Sequence, residues 1–138
     1  MKANKTLLFE IPEPEFDYHN PMLLRILHSD DFTRLDFGYT TPWYYVKGGW
    51  IKISPKTHLK VEGKEGKYLL KDAVGIAVAP EKIKFKSTED WQFFSLYFDP
   101  IPLNNCRIHM IEAEKPTPND FNFYDIELNL NKAIEILR

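Results

Sequence analysis

Residues 91–102 read WQFFSLYFDPIP. Phe94, Leu96 and Phe98 fall on one parity of this stretch, and Phe93, Ser95 and Tyr97 on the other. A period of two is the spacing of a β-strand, whose successive side chains point to opposite faces. Pro100 and Pro102 end the strand, because proline has no N–H to give to a ladder. A strand this rich in rings needs partners, and the rest of the chain supplies them in kind. Leu35, Phe37 and Tyr39 alternate with Arg34, Asp36 and Gly38. Lys82, Lys84 and Lys86 alternate with Ile83 and Phe85, and Tyr124, Ile126, Leu128 and Leu130 share a phase.

Shorter runs fill the gaps between these segments. Leu7–Ile11 is stopped by Pro12 and Pro14, and Met22–Leu27 follows the Asn20–Pro21 turn signal. His58 and Lys60 alternate with Leu59 and Val61, ahead of the glycine-bearing turn EGKEGK at 62–67. Cys106–Ile111 is a further strand candidate, and Asn131–Arg138 reads as one or two helical turns or the start of a linker. No earlier stretch has a helical period. Roughly eight to ten short strands divided by turn residues predict an all-β fold, an antiparallel sandwich or barrel. The expected core is Leu24, Ile26, Leu35, Phe37, Trp50, Phe94, Leu96, Phe98, Ile108, Ile126 and Leu128.

The 138 residues are the length of one domain, with 1–6 and 131–138 as flexible or linker ends. A formal charge of −2 gives no broad positive field, which argues against nucleic acid as a partner. The longest apolar run, Ala73–Ala79, is far below the ~20 residues of a membrane-spanning helix. The opening MKANKTLLFEIPEPE has no apolar signal-peptide core.

No arrangement in the sequence marks a reaction. The four histidines, His19, His28, His58 and His109, sit in separate segments without metal-ligand spacing, so no metal site is expected. Cys106 is the single cysteine, which excludes an internal disulfide and any CxxC pair. Its parity with Ile108 and Met110 reads as a small buried side chain. There is no GxSxG, and Gly48–Gly49 is not followed by a phosphate-binding signature. Glu112 lies just past a strand and reads more readily as structural than as a hydrolase acid. The chain is therefore expected not to be an enzyme and to hold no cofactor.

Aromatic residues remain. In TTPWYYVKGGW, residues 40–50, Trp50 opens a strand and is expected to pack inward. Trp43, Tyr44 and Tyr45 are three consecutive rings that cannot all point inward from one strand. They are the candidate ligand-binding residues, suited to stacking on a sugar ring.

The order FFSLYFDPIPLNNCRIHMIEAE, then FNFYDIEL, resembles a pattern found in some bacterial cell-envelope proteins of the thiol–disulfide oxidoreductase type. There an N-terminal immunoglobulin-like β-sandwich domain precedes a thioredoxin-like module. WIKISPKTHLKVEGKEGKYLL and GIAVAP fit the same series, so the likeness spans residues 12–130. It implies a non-catalytic accessory domain that contacts a protein partner or a tethered domain in the periplasm or cell envelope. The lengthened segment Pro42–Gly49 departs from the pattern, and the chain has no redox CxxC. Carbohydrate binding through Trp43, Tyr44 and Tyr45 is the alternative. Strand-dominated far-UV circular dichroism is the expected spectrum; a helix-dominated one contradicts the fold reading.

Overall fold

The computed structural model describes residues 6–10, 22–40, 50–75, 77–78, 83–84, 91–102, 104–113 and 122–136. Twelve strands lie among them: β1 (Thr6–Glu10), β2 (Met22–His28), β3 (Thr33–Thr40), β4 (Trp50–Ile53), β5 (His58–Val61), β6 (Tyr68–Val74), β7 (Ala77–Val78), β8 (Ile83–Lys84), β9 (Trp91–Phe98), β10 (Cys106–Ile111), β11 (Phe123–Leu128) and β12 (Ile134–Ile136). The expected all-β, sandwich-like antiparallel architecture is what forms. Nine strands pair in the order β11–β10–β5–β6–β9–β3–β2–β1–β12. The short β7, β4 and β8 make a separate three-stranded sheet, with β4 parallel to β7 and antiparallel to β8.

The long sheet cannot lie flat. Eight inter-strand gaps of ~4.8 Å would place β11 and β12 ~38 Å apart. Only six residue steps join Leu128 to Ile134, a reach of ~20 Å. The sheet therefore folds over. Phe37 of β3 and Phe123 of β11 stand five places apart in the strand order, yet their ring centroids are 5.4 Å apart. The fold line runs along β6. Tyr68 and Leu69 pair with β5, while Leu70–Val74 pair with β9 across a bulge between Leu70 and Asp72. A bulged strand that changes partners is how a sheet turns a corner.

One apolar cluster fills the space between the layers. Ile26, Leu35, Ile53, Leu59, Leu96, Phe98 and Ile108 are fully enclosed in it. Phe37 stacks on Phe94 at 5.1 Å. The expected core positions on β2 need one correction. Leu23 is buried, and Leu24 is only partly so. The β2–β3 register jumps from Leu23↔Phe37 to Arg25↔Asp36, leaving Leu24 as the extra residue of a bulge. The bulge reverses the parity, so Leu23 and Ile26 both face inward. Trp50 opens β4, but its side chain lies outside the described ones.

The two prolines after β9 hold a buried residue between them. Ile101 is 3% exposed. Its N–H donates to Thr33 Oγ1 at 3.1 Å, and its carbonyl accepts from His28 Nε2 at 2.7 Å. These bonds account for burying Thr33 and His28, since an enclosed polar group needs a partner. At the C-terminal end, Leu130–Lys132 form a 3-10 turn, and Ile134–Ile136 then pair with Leu8, Leu7 and Thr6 of β1.

Gly75 follows β6 at φ +84°, and a Cβ there would sit 2.5 Å from the Phe93 carbonyl oxygen. Gly63 has a similar φ of +81° but open space around it. Gly75→Ala is expected to destabilise by roughly 3 kcal/mol, from backbone strain plus a clash with backbone. Gly63→Ala is expected to cost about 1 kcal/mol, from strain alone. Urea unfolding of the two variants checks the difference, and equal midpoints contradict the close approach.

Candidate functional site

On the solvent side of the long sheet, five adjacent strands contribute one residue each to a single cross-sheet row. The register pairs Val74 of β6 with Ser95 of β9, Ser95 with Asp36 of β3, Asp36 with Arg25 of β2, and Arg25 with Glu10 of β1. The row exists because of the Leu24 bulge, which brings Arg25 rather than an apolar neighbour opposite Asp36. In the next row, Arg34 of β3 pairs with Tyr97 of β9.

Asp36 is the centre of this face. Its side chain is 9% exposed, and both carboxylate oxygens are engaged. Arg25 Nε donates to Oδ2 at 2.6 Å, and Ser95 Oγ donates to Oδ1 at 2.7 Å. Arg34 Nη2 donates to Oδ2 at 3.1 Å, and its Nε lies 2.9 Å from Oδ1. Arg34 also reaches the Tyr97 hydroxyl at 3.5 Å, with its guanidinium carbon 5.9 Å from that ring's centroid. Burial pushes the Asp36 carboxyl up, but the hydrogen bonds from Arg25, Ser95 and Arg34 outweigh it and hold the group below the ordinary carboxylate range. Burial also works against the charge of Arg34, and the bonds to Tyr97 and Asp36 more than restore it. The network ties β2, β3 and β9 into one register and fixes the two guanidinium groups.

An open concavity of about 620 Å³ lies over this network. Glu10, Arg25, Arg34, Asp36 and Ser95 give it a polar side. Leu24, Val74 and Phe93 give it an apolar one. Phe93 is 65% exposed and Val74 is 54% exposed. A large exposed ring beside fixed arginines is the composition of a contact surface rather than of a solvated strand face. The Ser95 hydroxyl in the concavity is hydrogen-bonded to Asp36, whose carboxylate is already held by Arg25 and Arg34. The arrangement offers recognition through charge-assisted hydrogen bonds and apolar contact.

Trp43, Tyr44 and Tyr45, the residues singled out from the sequence, lie outside the described residues. Glu112 Oε2 accepts from the Ser54 N–H at 2.8 Å, tying the turn after β4 to the end of β10. Cys106 is partly buried, and burial pushes its thiol up despite nearby Lys64. That favours the protonated form over a reactive thiolate.

One other group has the makings of a cation site. Glu62, His109 and Asp125 bring one ligand atom each to within 4.8 Å of one another. Asp125 sits at φ +57° in a β10–β11 bulge, and its N–H donates to His109 Nδ1 at 3.0 Å. Nδ1 is thus an acceptor, and the proton of the neutral ring is on Nε2. A cation at either nitrogen would have to displace that bond or that proton. Arg107 Nη1, 3.9 Å from Glu62, already supplies a positive charge there.

No family model, curated protein or solved structure matches the chain.

Asp36 yields a pH-dependent prediction. Its folded pKa is lowered, so its stabilisation is full above the unfolded carboxylate value of ~3.9 and is lost as pH falls through the folded value. Asp36→Asn is expected to destabilise by about 2 kcal/mol at neutral pH. The gap to the unaltered protein should narrow from about pH 4 downward. Thermal midpoints across that range check it, and a pH-independent gap contradicts the charged network.

Proposed function

We propose that the chain is a non-catalytic interaction domain whose contact surface is the solvent face of β6, β9, β3, β2 and β1. In this reading it is an accessory, immunoglobulin-like sandwich of the kind that precedes a thioredoxin-like module in bacterial envelope proteins. It holds or orients such a redox partner without performing thiol exchange itself. Periplasmic or envelope placement belongs to the same reading.

The observation that supports it best is that Phe93 and Val74, both more than half exposed, line one concavity with an arginine–carboxylate network whose charges are already compensated. Interface cores are enriched in aromatic residues and arginine, and their strongest contributors are rigid before the partner arrives. Phe93 meets the first condition. Arg25 and Arg34, anchored on Asp36, meet the second. The half-buried Cys106, with its thiol pushed up, supports a role other than redox exchange.

Photo-crosslinking in cells tests the proposal. A benzophenone amino acid placed at Phe93 is expected to trap a protein that mass spectrometry identifies as carrying a thioredoxin-like module. The same group at Tyr124, also exposed at 56% but on β11, is expected to trap nothing specific. Identical adducts from both positions, or none from Phe93, contradict the assignment of the surface.

A further inference from the structure

We propose that the concavity is a carboxylate-binding site that takes the C-terminal tail of a polypeptide, with Arg25 receiving the terminal carboxylate. The inference rests on the reading of this face as an interaction surface and names the chemistry of what it binds. Arg25 spends only its Nε on Asp36, at 2.6 Å. Among the described residues, its Nη1 and Nη2 make no hydrogen bond, and its side chain is 55% exposed. Held at Nε, the guanidinium presents its outer two-nitrogen edge in a fixed plane. That edge matches the two oxygens of a carboxylate in a bidentate pair.

Arg34 differs, because its donors are directed to Asp36 and Tyr97. It sets the local charge without competing for the ligand. Glu10, across the β1–β2 pair from Arg25, limits what anion the site accepts. Among the described lining residues, Arg25 and Arg34 are set against Asp36 and Glu10, which sums to zero formal charge. A single negative charge facing the Arg25 fork is tolerated, and a phosphate dianion is repelled by Glu10. This selects a carboxylate over a phosphoryl group.

The apolar wall fixes the rest of the ligand. Phe93 is on β9, two strand places from Arg25 on β2 and two residues along the strand from Ser95 in the Arg25 row, a separation of ~12 Å. Three extended residues span ~10 Å. A large apolar side chain two positions before the terminal carboxylate would therefore reach Phe93 and Val74.

Titration of the full chain with acetyl-Phe-Ala-Ala, followed by amide chemical shifts, tests the site. The free acid is expected to bind at least ~10-fold more tightly than the same peptide with an amidated C-terminus. Arg25→Gln should abolish that preference. Phe93→Ser should weaken acid and amide alike and leave the preference intact; Phe93 is exposed enough for this variant to fold. Inorganic phosphate at the same concentration should not displace the acid. Equal binding of acid and amide, an unaltered preference in Arg25→Gln, or competition by phosphate each overturn the proposal. If acid and amide are equivalent while Phe93 still crosslinks a thioredoxin-like protein, the carboxylate site fails and the interaction surface stands.

Discussion

The contact between Phe37 and Phe123 is the interaction on which the rest of the molecule depends. Nine strands in hydrogen-bonded sequence would make a sheet with two bare faces. Bringing β3 over β11 converts one of those faces into a core. The short β11–β12 connection demands this closure, and the bulge in β6 permits it. Without it, Leu35, Leu96, Phe98 and Ile108 would have no opposite layer, and burial of such side chains is the dominant favourable term in folding.

Closure also decides the character of the outer face. With the inner parity of β2, β3 and β9 committed to the core, the outer parity is free to be polar. It organises around one carboxylate. Asp36 is buried beyond what an isolated charge tolerates, and three donors make that burial possible. Since Arg25 remains half exposed, the pair is better understood as a device for register and orientation than as a large source of stability. The bulge at Leu24 and the ion pair of Arg25 with Asp36 agree: each specifies the same alignment of β2 on β3.

Much of the fold was legible in the alternation of apolar and polar residues. The inward sets Leu35/Phe37 and Phe94/Leu96/Phe98 follow directly from parity, as do Ile108, Ile126 and Leu128. Parity fails where a strand bulges, which is why Leu24 and Leu23 exchange roles. Nothing local announces an extra residue in MLLRIL; only the partner strand reveals it. The pairing of β12 with β1 was hidden for a similar reason, since it joins the two ends of the chain. The outer-face network was half visible. Arg34 and Asp36 share a parity on β3, as do Ser95 and Tyr97 on β9, but the sequence does not say that these strands are neighbours. The polar partners of Ile101 lie far away in the chain and needed the folded register to appear.

The claim that the sheet closes on itself through the two rings is tested most directly by a double-mutant cycle in urea unfolding. Phe37→Leu and Phe123→Leu, alone and together, report the coupling between positions that are remote along the sheet. Direct packing of the rings predicts a coupling of about 1 kcal/mol. Additive effects of the two substitutions would contradict it.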